Sequence, residues 1–141
     1  MSASVQFAFQ QLPGALAEPD KTGGDGLTRL ITNLFDRWDL TGDEQLDLLG
    51  LSAKSRSLLP AYRRGTKSIS ASRDTTERVA WLLSVHKALR LLYPRNPELR
   101  YTWIKRRNQA FNNLTPLEIM RQGGIVGLMV VSRYLDYQRG M

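Results

Sequence analysis

Basic side chains supply most of the chemistry that this sequence offers, and several of them lie within or directly after residues 40–65. Lys and Arg bind backbone phosphates, and near the start of a helix they can also read guanine in the major groove of DNA. The residues predicted to face base edges are Ser52, Lys54, Ser55 and Arg56. The residues predicted to contact phosphates are Arg63, Arg64 and Lys67.

Two predicted short helices would position these side chains. Thr41 and Glu44 have the spacing of a capping box, and the first helix should stop at Gly50, which tolerates a left-handed conformation. A second helix is predicted to open at Ser52. Pro60 should kink this helix or end it one residue earlier, because proline lacks an N–H and clashes with the preceding turn. The pattern is typical of a helix-turn-helix, and an ordinary corner between two helices is the alternative.

The sequence carries no motif of catalysis or metal binding. It has no HExxH pattern, no Walker A loop and no GxGxxG, and its Ser, His and Asp residues suggest no catalytic arrangement. His86, the only histidine, lies on an apolar stripe with no acidic or imidazole partner nearby, so we predict that it packs in the core. We therefore expect a binding protein without cofactor or metal, rather than an enzyme.

Length and charge point to a small, basic protein. The 141 residues suffice for one domain, or for two small units that share a core. Residues 1–50 hold three basic and eight acidic side chains, whereas residues 51–141 hold seventeen basic and five acidic ones. A basic body of this kind suits nucleic acid or an acidic protein surface, and a solvated arginine-rich surface is the alternative.

Cysteine is absent, which fits a reducing cytosol, and no apolar run approaches the 18 residues of a membrane span. The start of the chain lacks the features of a signal peptide. We therefore expect a cytoplasmic protein that does not enter the membrane.

Hydrophobic periodicity predicts an all-α fold in three parts. Residues 1–25 form a flexible arm, residues 26–72 a helix-turn-helix module, and residues 73–141 a second helical module. A long helix from about residue 72 to residue 93 is apolar on two sides, so it should be buried on two sides and form a wall shared by both modules.

The last part of the chain should contain short helices. Thr115, Pro116 and Glu118 combine a cap, a proline at the first helical position and a capping-box carboxylate. The β-branched run after Gly124 is compatible with a buried strand, but helix is the better interpretation because no other strand is predicted.

The residues just described resemble a known family. The chain from residue 101 onward is similar to the toxin-binding domain of the Xre/MbcA/ParS antitoxins, and residues 27–100 resemble the family more loosely. The C-terminal resemblance rests on Trp103, Asn108, Phe111, Thr115, Pro116, Leu117, the 123–124 glycine pair, Arg133, Tyr134, Leu135, Asp136, Arg139 and Gly140. The upstream resemblance rests on Trp38, Thr41, and residues 48–51, 63–65 and 77–89.

This resemblance implies the antitoxin of a type II toxin–antitoxin module. Its partner would be a RES-domain toxin, similar to ADP-ribosyltransferases, that consumes NAD or modifies a host enzyme. The antitoxin would occlude the toxin's active site with C-terminal residues, repress its own operon through an Xre-like helix-turn-helix, and form a homodimer. The implied toxin contacts are Trp103, Asn108, Arg133, Tyr134, Tyr137, Gln138, Arg139, Gly140 and Met141. For Trp103, core packing is the alternative.

Two other functions fit the same residues. A one-component homodimeric transcriptional repressor would bind its operator without any toxin partner. A pure interaction module would bind the toxin and ignore DNA.

Overall fold

A computed structural model describes residues 26–140, and the predicted N-terminal arm and Met141 lie outside the described residues. The described part of the chain forms seven α-helices and no strand, so the predicted all-α fold is confirmed. The helices are α1 (Gly26–Arg37), α2 (Gly42–Leu49), α3 (Leu58–Arg64), α4 (Arg73–Leu92), α5 (Pro97–Thr102), α6 (Pro116–Gln122) and α7 (Gly124–Gln138). Short 3₁₀ turns span Ala53–Ser55, Ile69–Ala71, Trp103–Lys105 and Gln109–Phe111.

Helix α4 is the centre of the fold, as predicted. It begins after Ser72, whose side chain accepts a hydrogen bond from the backbone N–H of Thr75. Its buried residues face α1 and α2 on one side and α7 on the other, and its buried hydrophobic residues all belong to one continuous hydrophobic core. Ser132 of α7 donates to Ser84 of α4 over 3.2 Å. The two halves of the chain therefore share α4 as a common wall.

Local capping fixes where α2 and α6 begin. Thr41 and Thr115 each accept a hydrogen bond from the N–H three residues later, and the carboxylates of Glu44 and Glu118 accept one from the backbone N–H of the capping threonine. Both capping boxes satisfy backbone donors that a helix start otherwise leaves unpaired. Helix α2 ends at Gly50, which has the predicted left-handed conformation with φ of 72°.

The segment after Gly50 differs from the prediction. Ser52 does not open an α-helix, because the chain first forms the Ala53–Ser55 turn and then begins α3 at Leu58. Pro60 is the third residue of α3 and does not end it. The first four N–H groups of a helix have no partner within the helix, so the missing N–H of Pro60 costs no hydrogen bond there.

Helices α6 and α7 approach each other very closely at two glycines. A Cβ atom at Gly127 would lie 2.2 Å from the carbonyl oxygen of Ile119, and one at Gly123 would lie 2.7 Å from the Cα of Gly127. The predicted helix break at residues 123–124 is therefore also a packing contact. Within residues 26–140, no helix has the length and apolar composition needed to cross a membrane.

Candidate functional site

The outward face of α7 carries an apolar stripe, which we call the α7 stripe and define as Val126, Val130, Arg133 and Tyr137. Spacings of four, three and four residues place these side chains on one side of the helix. Val126, Val130 and Tyr137 expose 68%, 44% and 77% of their surface. The opposite side of α7 is buried against α4 and α6. Exposed apolar side chains that recur along one helix face, as Val126, Val130 and Tyr137 do, are a feature of interaction sites.

Trp103 and Tyr134 support the α7 stripe from beneath rather than extending it. Trp103 is only 9% exposed and stacks on Tyr134 with ring centroids 6.2 Å apart. Phe111 contacts the same tyrosine edge-on at 5.0 Å. In this structure Trp103 packs in the core, in line with its alternative interpretation, and the aromatic cluster holds the C-terminal half of α7 in place.

Asn108 organises a loop. Its side-chain oxygen accepts from the backbone N–H of Ala110 over 3.0 Å, and its own N–H donates to the carbonyl of Leu114 over 3.1 Å. Asn112 and Asn113 have left-handed backbones with φ of 55° and 64°. Asparagine is one of the few residues that tolerate this conformation. The Asn108 side chain therefore shapes the loop from within.

The end of α7 presents polar and aromatic groups to solvent. Gln138 and Gly140 are exposed beside Tyr137. Arg139 forms an ion pair with Asp136 over 3.1 Å and is partly buried. Met141 lies outside the described residues. The segment predicted to occlude a toxin is thus accessible up to Gly140.

The predicted base-reading residues lie together along the chain, but one of them is occupied. Ser52, Lys54 and Arg56 are exposed and Ser55 is half-buried. Arg56 pairs with Asp43 of α2, so its guanidinium is already engaged within the chain. A contact between Arg56 and guanine would first have to break this ion pair.

The predicted phosphate contacts are divided in the same way. Arg63 pairs with Asp36 of α1, and this hydrogen bond holds the pKa of Asp36 below its ordinary value. Arg64 and Lys67 are exposed, and neither forms an ion pair with a carboxylate of the described chain. Of the residues predicted to contact DNA, Lys54, Arg64 and Lys67 are therefore the cations that are exposed and not paired with a carboxylate of residues 26–140.

One ion-pair group joins α6 to α2, and no sequence pattern predicts it. Arg121 of α6 contacts Asp47 of α2 over 2.9 Å and lies 3.9 Å from Glu44. Arg121 and Asp47 are 74 residues apart, so no local spacing could have indicated the pair. Between residues 26 and 140, no group of three or more His, Cys, Asp or Glu side chains is arranged to hold a metal ion.

Comparison with known proteins identifies the C-terminal half. Residues 87–140, which contain the α7 stripe and its aromatic support, match the antitoxin Xre/MbcA/ParS C-terminal toxin-binding domain. The chain is also similar to a protein of Sinorhizobium fredii named "uncharacterized protein y4oB". The two are 39% identical over 107 residues, which cover 76% of this chain and 79% of the relative.

Proposed function

Because this chain belongs to the Xre/MbcA/ParS antitoxin family, we propose that it is the antitoxin of a type II toxin–antitoxin module and inhibits a RES-domain toxin. That toxin would consume NAD or resemble an ADP-ribosyltransferase. The observation that carries the proposal is the α7 stripe, an exposed apolar surface inside the region that matches the toxin-binding domain. We assign toxin binding to residues 73–141 and DNA binding to residues 26–72.

The α7 stripe offers the side chains that dominate protein interfaces. Tyrosine and arginine are enriched among residues whose truncation costs the most binding free energy. Tyr137 and Arg133 are both exposed, so each can enter a pocket of the toxin without disturbing the core. Val126 and Val130 would provide the apolar surround that excludes water from these contacts.

Charge favours an acidic partner. Residues 73–140 hold twelve basic and five acidic side chains. An acidic active-site entrance on the toxin would attract this surface and orient it, since complementary charge speeds encounter and fixes register. Residues 137–140 follow the last buried residue of α7, Leu135, which suits a segment that occludes the entrance.

Neutralisation of the toxin tests this proposal. We expect the chain to co-purify with a RES-domain protein encoded beside its gene and to rescue cells that express this protein. Tyr137→Ala should weaken the complex by about 2 kcal/mol or more, as a hot-spot residue would. Arg133→Ala should also weaken it, whereas the control Arg95→Ala, at an exposed arginine that is not part of α7, should not.

Deletion of residues 137–141 separates occlusion from folding. Tyr137, Gln138 and Gly140 are exposed, so the truncated chain should keep its helical content and its thermal midpoint. Rescue of toxin-expressing cells should nevertheless fail or weaken. Full rescue by the truncated chain would show that these residues do not occlude the toxin.

We further propose that a homodimer of the chain represses its own operon through residues 40–65. Lys54, Arg64 and Lys67 favour this role because they are exposed and form no ion pair with a described carboxylate. Each phosphate contact contributes roughly 0.9 to the slope of log affinity against log salt concentration. Arg64→Ala should therefore weaken binding to all DNA sequences and lower this slope, whereas Arg95→Ala should leave it unchanged. An unaltered slope would remove Arg64 from the phosphate contacts.

A one-component repressor is the alternative function. It would bind operator DNA as a homodimer and would have no toxin to inhibit. Operator binding by a chain that neither co-purifies with nor neutralises the neighbouring gene product would favour this alternative.

A further inference from the structure

A cleft of about 270 Å³ lies between α1, α4 and α5, away from the α7 stripe and from residues 40–65. Leu30, Leu34 and Leu83 form its apolar wall. Asn33, Arg37 and Arg90, together with the rings of His86 and Tyr101, form its polar side. Neither proposed binding role uses these groups. The combination of an apolar wall with a few converging polar groups is typical of small-molecule sites.

Positive charge is concentrated at this cleft and held in place. The guanidinium carbons of Arg37 and Arg100 lie 5.4 Å and 5.8 Å from the centre of the Tyr101 ring. Arg37 also donates to the Tyr101 hydroxyl over 2.9 Å, and Arg100 donates to the carbonyls of Tyr93 and Pro94. Contacts with an aromatic face and with fixed acceptors reduce the mobility of a guanidinium, and so prepare it to bind an anion.

These cations have no acidic counterpart in the described chain. Arg37, Arg90 and Arg100 form no ion pair with a carboxylate of residues 26–140, and none of the residues that line the cleft is acidic. Other arginines of the described chain do pair with carboxylates, namely Arg56, Arg63, Arg78, Arg121 and Arg139. Three neighbouring positive charges without a counter-ion repel one another, and a bound anion would relieve this repulsion.

The positive charges at the cleft also act on the His86 ring. Its ring stacks on Tyr101 at 5.7 Å, and its Nδ1 is buried with no hydrogen-bond partner among the described residues. Burial and, to a lesser extent, the positive charges of Arg90, Arg100 and Arg37 together lower the pKa of His86 to about 4. His86 is therefore neutral at pH 7, and it stands next to the charges that an anion would neutralise.

We propose that this cleft binds a small organic anion that carries a phosphate or carboxylate group on an apolar body. The guanidinium groups of Arg37 and Arg90 would bind the oxygen atoms, because the planar fork of arginine matches the geometry of carboxylates and phosphates. The leucine wall and the Tyr101 ring would cover the apolar body. At about 270 Å³ the cleft is slightly smaller than the roughly 300 Å³ at which pockets for drug-sized ligands begin, so it suits a smaller ligand of one ring.

The single histidine makes the proposal measurable in the full chain by NMR. We expect phenyl phosphate or benzoate, added at constant ionic strength, to shift the His86 ring resonance with a saturable curve. At least one of them should bind more tightly than inorganic phosphate, which lacks the apolar body, and the tighter one identifies the preferred head group. The bound anion should also raise the pKa of His86, because it offsets the positive field. A shift that grows linearly without saturation, or that sodium chloride reproduces, would overturn the proposal.

Two arginine variants test whether the anion binds in this cleft. Arg90→Gln should weaken binding of the tighter anion at least tenfold, and it should leave the thermal midpoint almost unchanged because Arg90 is exposed. Arg95→Gln removes the same charge from an exposed position that does not line the cleft, so it should bind as the unaltered chain does. An equal loss of affinity in both variants would show that the anion responds to net charge and not to this cleft.

Discussion

Gly127 gives the sharpest test of the packing behind the α7 stripe, through the substitution Gly127→Ala. A methyl group there would stand 2.2 Å from the carbonyl oxygen of Ile119 and 3.1 Å from its carbonyl carbon. Both atoms belong to the backbone of α6, so no side-chain rotation can remove the clash. The two helices would have to move apart by about 1 Å, against a core packed as densely as an organic crystal.

Two opposing contributions set the size of the effect. Forced overpacking of a core costs about 1–3 kcal/mol, and a clash with backbone belongs at the upper end of that range. Replacing glycine by alanine within a helix returns about 1 kcal/mol. We therefore expect Gly127→Ala to lower the free energy of unfolding by about 2 kcal/mol. For a chain of this size, that corresponds to a fall of about 8 °C in the thermal midpoint.

Urea unfolding followed by circular dichroism measures this difference, and Gly42→Ala is the matched control. Gly42 begins α2, and an added methyl would meet the end of the flexible Arg56 side chain, which can move aside. The control should stay within about 0.5 kcal/mol of the unaltered chain. If Gly127→Ala is as stable as Gly42→Ala, the helices separate at little cost and the close crossing does not fix α7.

Three further substitutions test the pH dependence and two structural contacts. The pKa of His86 in the folded chain is about 4, against an ordinary 6.5. The contribution of neutral His86 to the free energy of unfolding should therefore be complete above pH 6.5 and should be lost as the pH falls towards 4. His86→Gln should therefore flatten the decline in unfolding free energy over this range by about 2 kcal/mol, allowing for partial exposure, and an equally steep decline would contradict the assignment. Thr115→Ala should cost about 1 kcal/mol in urea unfolding through loss of the α6 cap. Arg121→Ala should cost at most about 1 kcal/mol, because its ion pair with Asp47 is partly exposed.

Much of this fold could be predicted from the sequence because capping, helical periodicity and glycine conformation depend only on residues close together in the chain. The capping boxes at Thr41 and Thr115 require only a hydroxyl and a carboxylate three residues apart, and both form as predicted. The two apolar sides of α4 follow from helical periodicity, and both are buried. The left-handed backbone at the end of α2 falls on Gly50, as predicted, because glycine adopts this conformation at little cost.

The predictions from the sequence were wrong or incomplete where contacts between residues far apart in the chain determine the structure. The rule that proline ends a helix assumed that α3 begins at Ser52, whereas it begins at Leu58 and so places Pro60 in a tolerant first turn. The ion pairs of Arg56 with Asp43 and of Arg121 with Asp47 bring together residues that no sequence spacing relates. The cleft was missed for the same reason, since three separate helices contribute its charges.

Arg78 of α4 lies where the two proposed functions could communicate. It pairs with Asp74 and packs so closely on the end of α2 that a Cβ at Gly50 would lie 2.4 Å from its Nε. Its guanidinium also lies 4.0 Å from the Cβ position at Gly124, where α7 begins. Densely packed interiors transmit displacement rather than absorb it. The Arg78 side chain is therefore packed between the turn that ends α2 and the start of α7. Because Arg121 joins α6 to α2 from a second position, the two contacts together resist independent movement of α2 and of the α6–α7 segment.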